Sequence, residues 1–285
     1  MKNRTPITRR NVLKATASAA AVSTFANLGV AFEPPKRFAG LPIGVQSYSL
    51  RNFPLDQVMR HIQGLGLHHV EFYEKHFPLS STDDQISQMK RQMKAGQVTM
   101  TAHGVNSFSA DHAKNRQVFE FAKKAGIRNI TANPQPDSFD SLDKLVDEYD
   151  VRICIHNHGP GALYDSLDTV TSAVEGHHER IGACIDTGHV LRSKEDPVQW
   201  IQRLGSRVFA LHVKDVAEKK KRTHDVIVGS SFLNLPGLFQ ALQQVNFPQD
   251  GSISLEYESN PENPIDDIQQ CLNAVDKAIQ QVQRA

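Results

Sequence analysis

Four apolar runs in the second half of the chain end in side chains that bind metals or move protons. RICIHNHGPG carries His156 and His158, IGACIDTGH carries Asp186 and His189, VFALHVKD carries His212, Lys214 and Asp215, and SISLEYE carries Glu256 and Glu258. If each run is a β-strand, successive side chains alternate between its two faces. Cys154, His156 and His158 then share a face, as do Cys184 and Asp186, His212 and Lys214, and Glu256 and Glu258. The innermost ligand-type residues are His156, Asp186, His212 and Glu256. Two imidazoles and two carboxylates converging at one point suit a single divalent metal, Mn, Co, Zn or Mg, with coordination positions left for substrate oxygens. One histidine at a strand end is commonly a core residue, and the Asp of DTGH could simply cap a helix. Four such residues at equal depth on four strands point to a shared site. Cys154 and Cys184, one layer below, read as small core residues.

The elements that must position these side chains repeat along the chain. Short runs rich in β-branched residues lie near 43–48, 68–73, 98–103, 129–133, 152–157, 181–186, 208–213 and 252–257. Between them, helical periodicity is found near 55–64, 84–95, 112–124, 141–148, 166–175, 196–203, 235–244 and 265–282. The strand spacing is about 30 residues, the size of one βαβ unit. Gly66, Gly96, Gly126 and Gly205 fall where helices should stop, and Pro54, Pro197 and Pro264 where they should start. The pattern predicts an α/β fold, a single (β/α)8 barrel over residues 43–285. A doubly wound open sheet would want a glycine-rich turn after its first strand, and QSYSLRNFP at 46–54 contains no glycine. In a (β/α)8 barrel the active site lies at the C-terminal ends of the strands, where the four polar runs end. Trp200 sits among helical neighbours and reads as core.

Composition narrows the function classes. The chain has 285 residues, 39% apolar and 22% charged, with a formal charge of +1, so bulk electrostatics offer no hold on nucleic acid. Three cysteines cannot build a disulfide framework, and none are spaced as a zinc knuckle. The first 31 residues differ from the rest: Lys2, Arg4, Arg9, Arg10 and Lys14 with no acidic residue, then an Ala-, Ser- and Thr-rich stretch to Ala31. This reads as an export signal. TRRNVLK at 8–14 resembles the bacterial twin-arginine signal, which implies the twin-arginine translocase as a partner and a periplasmic or secreted destination. The stretch is too polar for a stable membrane span. A cut after Ala31 leaves 254 residues with a charge of −4, beginning with an extended segment over 32–42. Export of an already folded protein suits one that acquires its metal in the cytoplasm. The basic run 218–222 reads as a solvated loop tip.

The strings CIDTGH, LHVKD and SLEYE, in this order on an eight-unit barrel, resemble the xylose-isomerase-like TIM-barrel superfamily of sugar isomerases, epimerases and related lyases. The resemblance covers essentially the whole mature chain. It implies one divalent metal at the four strand-end positions, usually held by Glu, Asp, His and Glu. His156 stands where the first glutamate is usual. In the family's epimerases both ligand glutamates also move protons, and a metal-bound imidazole is a poor base, so only Glu256 keeps that double role. His158 or His189 would supply the missing acid or base, ahead of Glu71, His103 and Lys214. Substrate contacts are expected from Tyr48, near Arg51 and Phe53, and from Glu71, His103, Arg192 and Lys214; His103 followed by Gly104 matches a family habit.

HNHGP with DTGH, Arg192 and a twin-arginine signal looks like the exported branch that cleaves 3-keto-glycosides by elimination. There a metal binds the ketone oxygen and a neighbouring hydroxyl, a base removes the proton on carbon 2, and an acid protonates the departing glycosidic oxygen. No glycine-rich phosphate cradle is present, which favours an uncharged carbohydrate. Three alternatives stand beside this expectation. One is an isomerase or epimerase of free ketoses, and another a noncatalytic periplasmic sugar binder, favoured by the His156 departure. The third is a phosphodiesterase like endonuclease IV with added ligands at His103, His189, His224 and Asp225, which the mature charge disfavours.

Overall fold

The computed structural model describes residues 37–284; the expected signal at 1–31 and the start of the segment at 32–42 lie outside the described residues. Apolar alternation and helical periodicity resolve into the expected units. In chain order these are β1 Ile43–Gln46, α1 Leu55–Gly64, β2 His69–Phe72, α2 Asp83–Ala95, β3 Thr99–Phe108, α3 His112–Ala125, β4 Asn129–Pro134 and α4 Phe139–Tyr149. There follow β5 Arg152–His156, α5 Leu167–Val174, β6 Ile181–Asp186, α6 Thr187–Arg192, α7 Pro197–Leu204, β7 Val208–Val213, β8 Asp215–Val216, β9 Asp225–Val226, α8 Leu235–Gln244, β10 Ser252–Leu255 and α9 Ile265–Arg284. The eight barrel strands are all parallel and close in the order β1-β10-β7-β6-β5-β4-β3-β2, a single (β/α)8 barrel.

Local signals set the helix ends. Thr82 and Gln85 form a reciprocal capping box on α2, and Ser166 and Thr169 do so on α5. Pro197 occupies the first turn of α7 behind the Asp196 cap. Gly126 ends α3 at φ 82°, a conformation that costs other residues more. The core lies between the strands and the helical ring, with Trp200, Phe72, Phe119 and Phe239 among its largest fully buried members. Cys154 and Cys184 pack with Phe209 and Ala210 inside the barrel. No described helix is long and apolar enough to cross a membrane.

Three features depart from the expected layout. Residues 32–42 were expected to be extended, yet Arg37–Gly40 forms a 3-10 turn. Burial drives this: Phe38 enters the core, its N–H donates to Asp276 on α9 at 2.7 Å, and the Arg37 guanidinium donates to the Leu65 carbonyl. The short helix α6 follows β6 directly, ahead of the expected helix. Finally, the long connection after β7 is organised as the β8–β9 ribbon and a loop gathered around one buried carboxylate. Asp215 Oδ1 accepts from the backbone N–H groups of Val216, Phe232 and Leu233, and Oδ2 from those of Gly229 and Ser231, at 2.9–3.2 Å.

Candidate metal centre and substrate cavity

The ends of β5, β6, β7 and β10 bring His156, Asp186, His212 and Glu256 together, all buried, with ligand-type atoms within 4.8 Å of one another. His156 Nε2 lies 3.0 Å from His212 Nδ1 and 3.4 Å from Asp186 Oδ2, and His212 Nδ1 lies 3.0 Å from Glu256 Oε2. The registers explain the convergence: His156 pairs with Cys184, and Asp186 pairs with His212.

The motifs hold these positions by side-chain contacts to backbone. Asn157 clasps β6 through both ends of its amide, accepting from the Asp186 N–H at 2.7 Å and donating to its carbonyl. Asp186 does both jobs open to it. Oδ1 caps α6 by accepting from the His189 N–H at 2.8 Å, and Oδ2 turns into the cluster. Thr187 accepts from the Lys214 N–H and donates to its carbonyl. Gly188 leaves room for the lysine stem, since a Cβ there would stand 2.7 Å from Lys214 Cβ.

Behind the cluster, Glu71 Oε2 accepts from His212 Nε2 at 2.9 Å and from the Ser254 hydroxyl at 2.8 Å, while Oε1 accepts from Thr131. Burial alone would raise the Glu71 carboxyl, but His212, Thr131 and Ser254 hold it below its ordinary value. This backing fixes the His212 ring with Nε2–H outward and Nδ1 toward the cluster, the arrangement that metal-binding histidines use. Burial opposes a charge on His212 too, yet Cys184, Glu71 and Glu256 raise its pKa, so a metal entering there must displace the Nδ1 proton. Asp186 Oδ2 has no hydrogen-bond partner among the described residues; the Lys214 ammonium is 3.1 Å away but out of line for a hydrogen bond. A buried acceptor free on one side, beside two imidazoles and a second carboxylate, fits a divalent ion by donor type and spacing.

Above the cluster opens a cavity of about 380 Å³ lined by His156, His158, His189, Arg192, Lys214, Glu256 and Glu258 and, across the mouth, Gln46, Tyr48, Tyr73, Gly104 and Val105. Lys214 Nζ lies 2.9 Å from Glu256 Oε2 and also pairs with Glu258. Burial would lower the lysine, and Asp186, Glu256 and Glu258 outweigh it, so it stays charged. Arg192 is held by Asp225 Oδ1 at 3.0 Å, and its NH1 lies 3.4 Å from His189 Nδ1. Because arginine only donates, His189 Nδ1 is the acceptor and its ring proton sits on Nε2. The ring of His158 makes no hydrogen bond with a described residue; it packs edge-on to His156, ring centres 4.7 Å apart. Burial keeps both imidazoles neutral, with His158 lowered to about 4 and His189 to about 3.

Tyr48, Arg192, Lys214, His158, His189 and Glu256 thus line the cavity, while His156, Asp186, His212 and Glu256 form the cluster beneath it. Two expected substrate contacts are corrected. Glu71 is fully buried behind His212 and does not reach the cavity. His103 is also buried, its Nε2 donating to the Phe77 carbonyl at 2.8 Å and its ring packed against Phe77 and Phe121. Its strand face turns toward the helical layer, and the next residues, Gly104 and Val105, take the cavity position. Gly104 passes so close to β4 that a Cβ would meet Thr131 Oγ1 at 2.1 Å. Glu258, which alternation set on one face with Glu256, lines the cavity too, while Gln46, Tyr73 and Val105 are lining residues that sequence reasoning did not assign. Only the placement of Gln46 at the end of β1 and Tyr73 just past β2 could have suggested them.

A parallel (β/α)8 barrel with a two-imidazole, two-carboxylate cluster under its C-terminal mouth defines the class. The chain belongs to the xylose isomerase-like TIM barrel family, whose model matches residues 59–275. Over 142 residues it is 25% identical to the inosose dehydratase of Clostridium beijerinckii, a match covering 44% of this chain and 46% of the relative. The chain thus spans about half the length of the curated relatives it matches. A crystal structure of an uncharacterised protein from Parabacteroides distasonis is 25% identical with a TM-score of 0.65, covering 84% of this chain and 99% of that one. An L-ribulose 3-epimerase shares the fold at 13% identity and a TM-score of 0.67, covering 86% and 96%.

Proposed function

We propose that this protein is a metal-assisted lyase acting on an uncharged keto-sugar, specifically a 3-keto-glycoside, from which it eliminates the glycosidic oxygen. The observation that carries the reading is the pair of neutral imidazoles in one cavity: His158 with free ring nitrogens and His189 with its proton placed on Nε2 by Arg192. Such a pair provides a base that becomes the acid once it has taken a proton, and a second ring N–H that can donate to the departing oxygen, which is what elimination requires. A divalent ion held by His156, Asp186, His212 and Glu256 would polarise the substrate carbonyl and acidify the hydrogen on the adjacent carbon. His158 accepts that proton at a ring nitrogen, the C2–H electron pair becomes the new double bond, and the C1–O bond breaks. The proton taken up by His158 then passes to the departing oxygen, to which the His189 Nε2–H donates a hydrogen bond. Glu256, tied to His212 and Lys214 and held well below the carboxylate range against burial, is the weaker base.

Charge pairing supports an uncharged substrate. Lys214 is matched by Asp186, Glu256 and Glu258, and Arg192 by Asp225, so neither cation of the lining is left over for a phosphate or carboxylate. The similarity to a dehydratase, which also works by elimination, supports lyase over isomerase. The export reading completes the proposal: residues 1–31 direct a folded, metal-loaded barrel through the twin-arginine translocase, testable by fusing them to a reporter and replacing Arg9 and Arg10 with lysine.

Metal-loaded protein is incubated with a 3-keto-glycoside and, separately, with free ketoses in deuterated water. Release of the aglycone, lost in His158→Asn and His189→Asn, supports the lyase. Ketose interconversion with label and no aglycone release would move the assignment to an isomerase or epimerase. Binding with neither reaction would make the protein a sugar binder.

A further inference from the structure

The cavity has two unlike sides, and the barrel order separates them. Every acidic, basic or imidazole side chain of the lining comes from the arc β5, β6, β7, β10 and the loops that follow: His156, His158, His189, Arg192, Lys214, Glu256 and Glu258. The opposite arc, β1, β2 and β3, offers Tyr48, Tyr73, Gly104, Val105 and Gln46, so its polar side-chain groups are two phenol hydroxyls and one amide. That amide is already spent on backbone, with Oε1 accepting from the Tyr48 N–H and Nε2 donating to the Gly104 carbonyl at 3.2 Å. Tyr48 and Val105 are two of the four exposed large hydrophobic residues described, 37% and 41% exposed. Tyr48 is also held in place, with its ring against the edge of Tyr73 at 5.3 Å and the Arg51 guanidinium 4.8 Å from its centroid.

We infer that the β1–β3 arc is the leaving-group subsite and that it takes an aromatic aglycone rather than a second sugar. The inference rests on the lyase reading for the word aglycone; the preference for an aromatic group rests on the arc alone. The keto-sugar ring must lie on the polar arc, where groups that can hold its hydroxyls and carbonyl are found. Whatever is attached at its glycosidic oxygen then extends toward Tyr48 and Val105. A second sugar placed there would exchange water for a wall whose side chains offer it two phenol hydroxyls, and each of its own hydroxyls left unpaired would cost binding. An aryl ring instead buries apolar area against a fixed aromatic partner, in the offset or edge-on geometry such rings favour.

The test uses metal-loaded protein and unreactive glucosides that keep the C3 hydroxyl: phenyl, methyl and glucosyl, titrated by calorimetry. Expected is phenyl glucoside binding at least about tenfold tighter than methyl, with the disaccharide no better than methyl. Tyr48→Ala should cut the phenyl advantage over methyl about five- to tenfold, and Val105→Ser should act in the same sense with a smaller effect. Circular dichroism and melting confirm that both variants fold. Equal binding of phenyl and methyl glucoside, disaccharide binding as tight as phenyl, or a Tyr48→Ala loss equal for all three ligands overturns the inference. The corresponding 3-keto compounds are assayed alongside. No elimination from any of them, with the aryl preference intact, would sink the lyase reading and leave the aromatic subsite standing.

Discussion

Replacing Glu71 with glutamine changes one charge behind the candidate metal centre and almost no atoms. The carboxylate accepts from His212 Nε2 and Ser254 on one oxygen and from Thr131 on the other. A glutamine oxygen can keep the His212 and Ser254 bonds, leaving its NH2 toward Thr131. That hydroxyl already has a second acceptor, the His103 carbonyl at 3.3 Å, and can rotate to accept from the amide. The His212 tautomer therefore survives, while its hydrogen bond becomes neutral. Hydrogen bonds to charged groups are worth about 1.5–3 kcal/mol net against about 1 for neutral ones, a difference of about 0.5–2 kcal/mol. At 1.4 kcal/mol per tenfold, Glu71→Gln should weaken metal binding by more than about twofold and up to about 30-fold. Glu71→Ala, which leaves the buried Nε2–H without a partner, should weaken it further. Calorimetric titration of Zn²⁺, Co²⁺ or Mn²⁺ into metal-free protein measures both variants, and urea unfolding of the same samples separates metal affinity from folding. If Glu71→Gln binds metal within twofold of wild type while Asp186→Asn does not bind, Glu71 does not act through His212 and the reasoning fails.

Two further outcomes follow from the geometry. Asp215→Asn can keep the three N–H groups on one oxygen but sets an NH2 against the N–H groups of Gly229 and Ser231, so it should cost about 2–4 kcal/mol in urea unfolding and open the 227–233 loop to protease. An unchanged midpoint would refute the account. At the opposite end of the barrel, Asp250 accepts from Arg152 at 2.8 Å and Arg128 at 3.0 Å, which hold its carboxyl below the ordinary value against partial burial. A depressed carboxyl contributes stability above its unfolded pKa and loses it as pH falls through the folded one. Discounted for exposure, Asp250→Asn should cost about 0.5–1 kcal/mol at pH 7, with the gap closing toward pH 3; a gap that persists in acid contradicts it.

The four-residue cluster was legible because it needs only period-two alternation and the rule that barrel strands present their ends at one mouth. Nothing beyond the strings HNH, DTGH, HVKD and LEYE was required. Glu71 and His103 were misread for a reason alternation cannot supply. The β2–β3 register shifts between Val70 and Glu71, and the β3–β4 register shifts between His103 and Asn106, so depth and facing on these strands are set by neighbours far away in sequence. Burial of Glu71 behind His212 depends on a contact 141 residues apart. The Arg192–Asp225 pair likewise joins a helix end to a ribbon across 33 residues. That separation carries no periodic signal.

The carboxylate of Asp215 bears on how this barrel can change. Four backbone donors of one loop report to a single side chain that the loop itself does not contribute. The course of the main chain over 229–233 is thus written largely from outside, and its exposed apolar side chain is released from dictating shape. Phe232, 45% exposed, can be exchanged while the backbone keeps its path, whereas the Ser230 hydroxyl also donates to the Ile227 carbonyl at 2.6 Å. In a library randomised at Phe232, folded members should be common as long as Asp215 stays, which makes the segment a place where new surface chemistry can be acquired without rebuilding the scaffold.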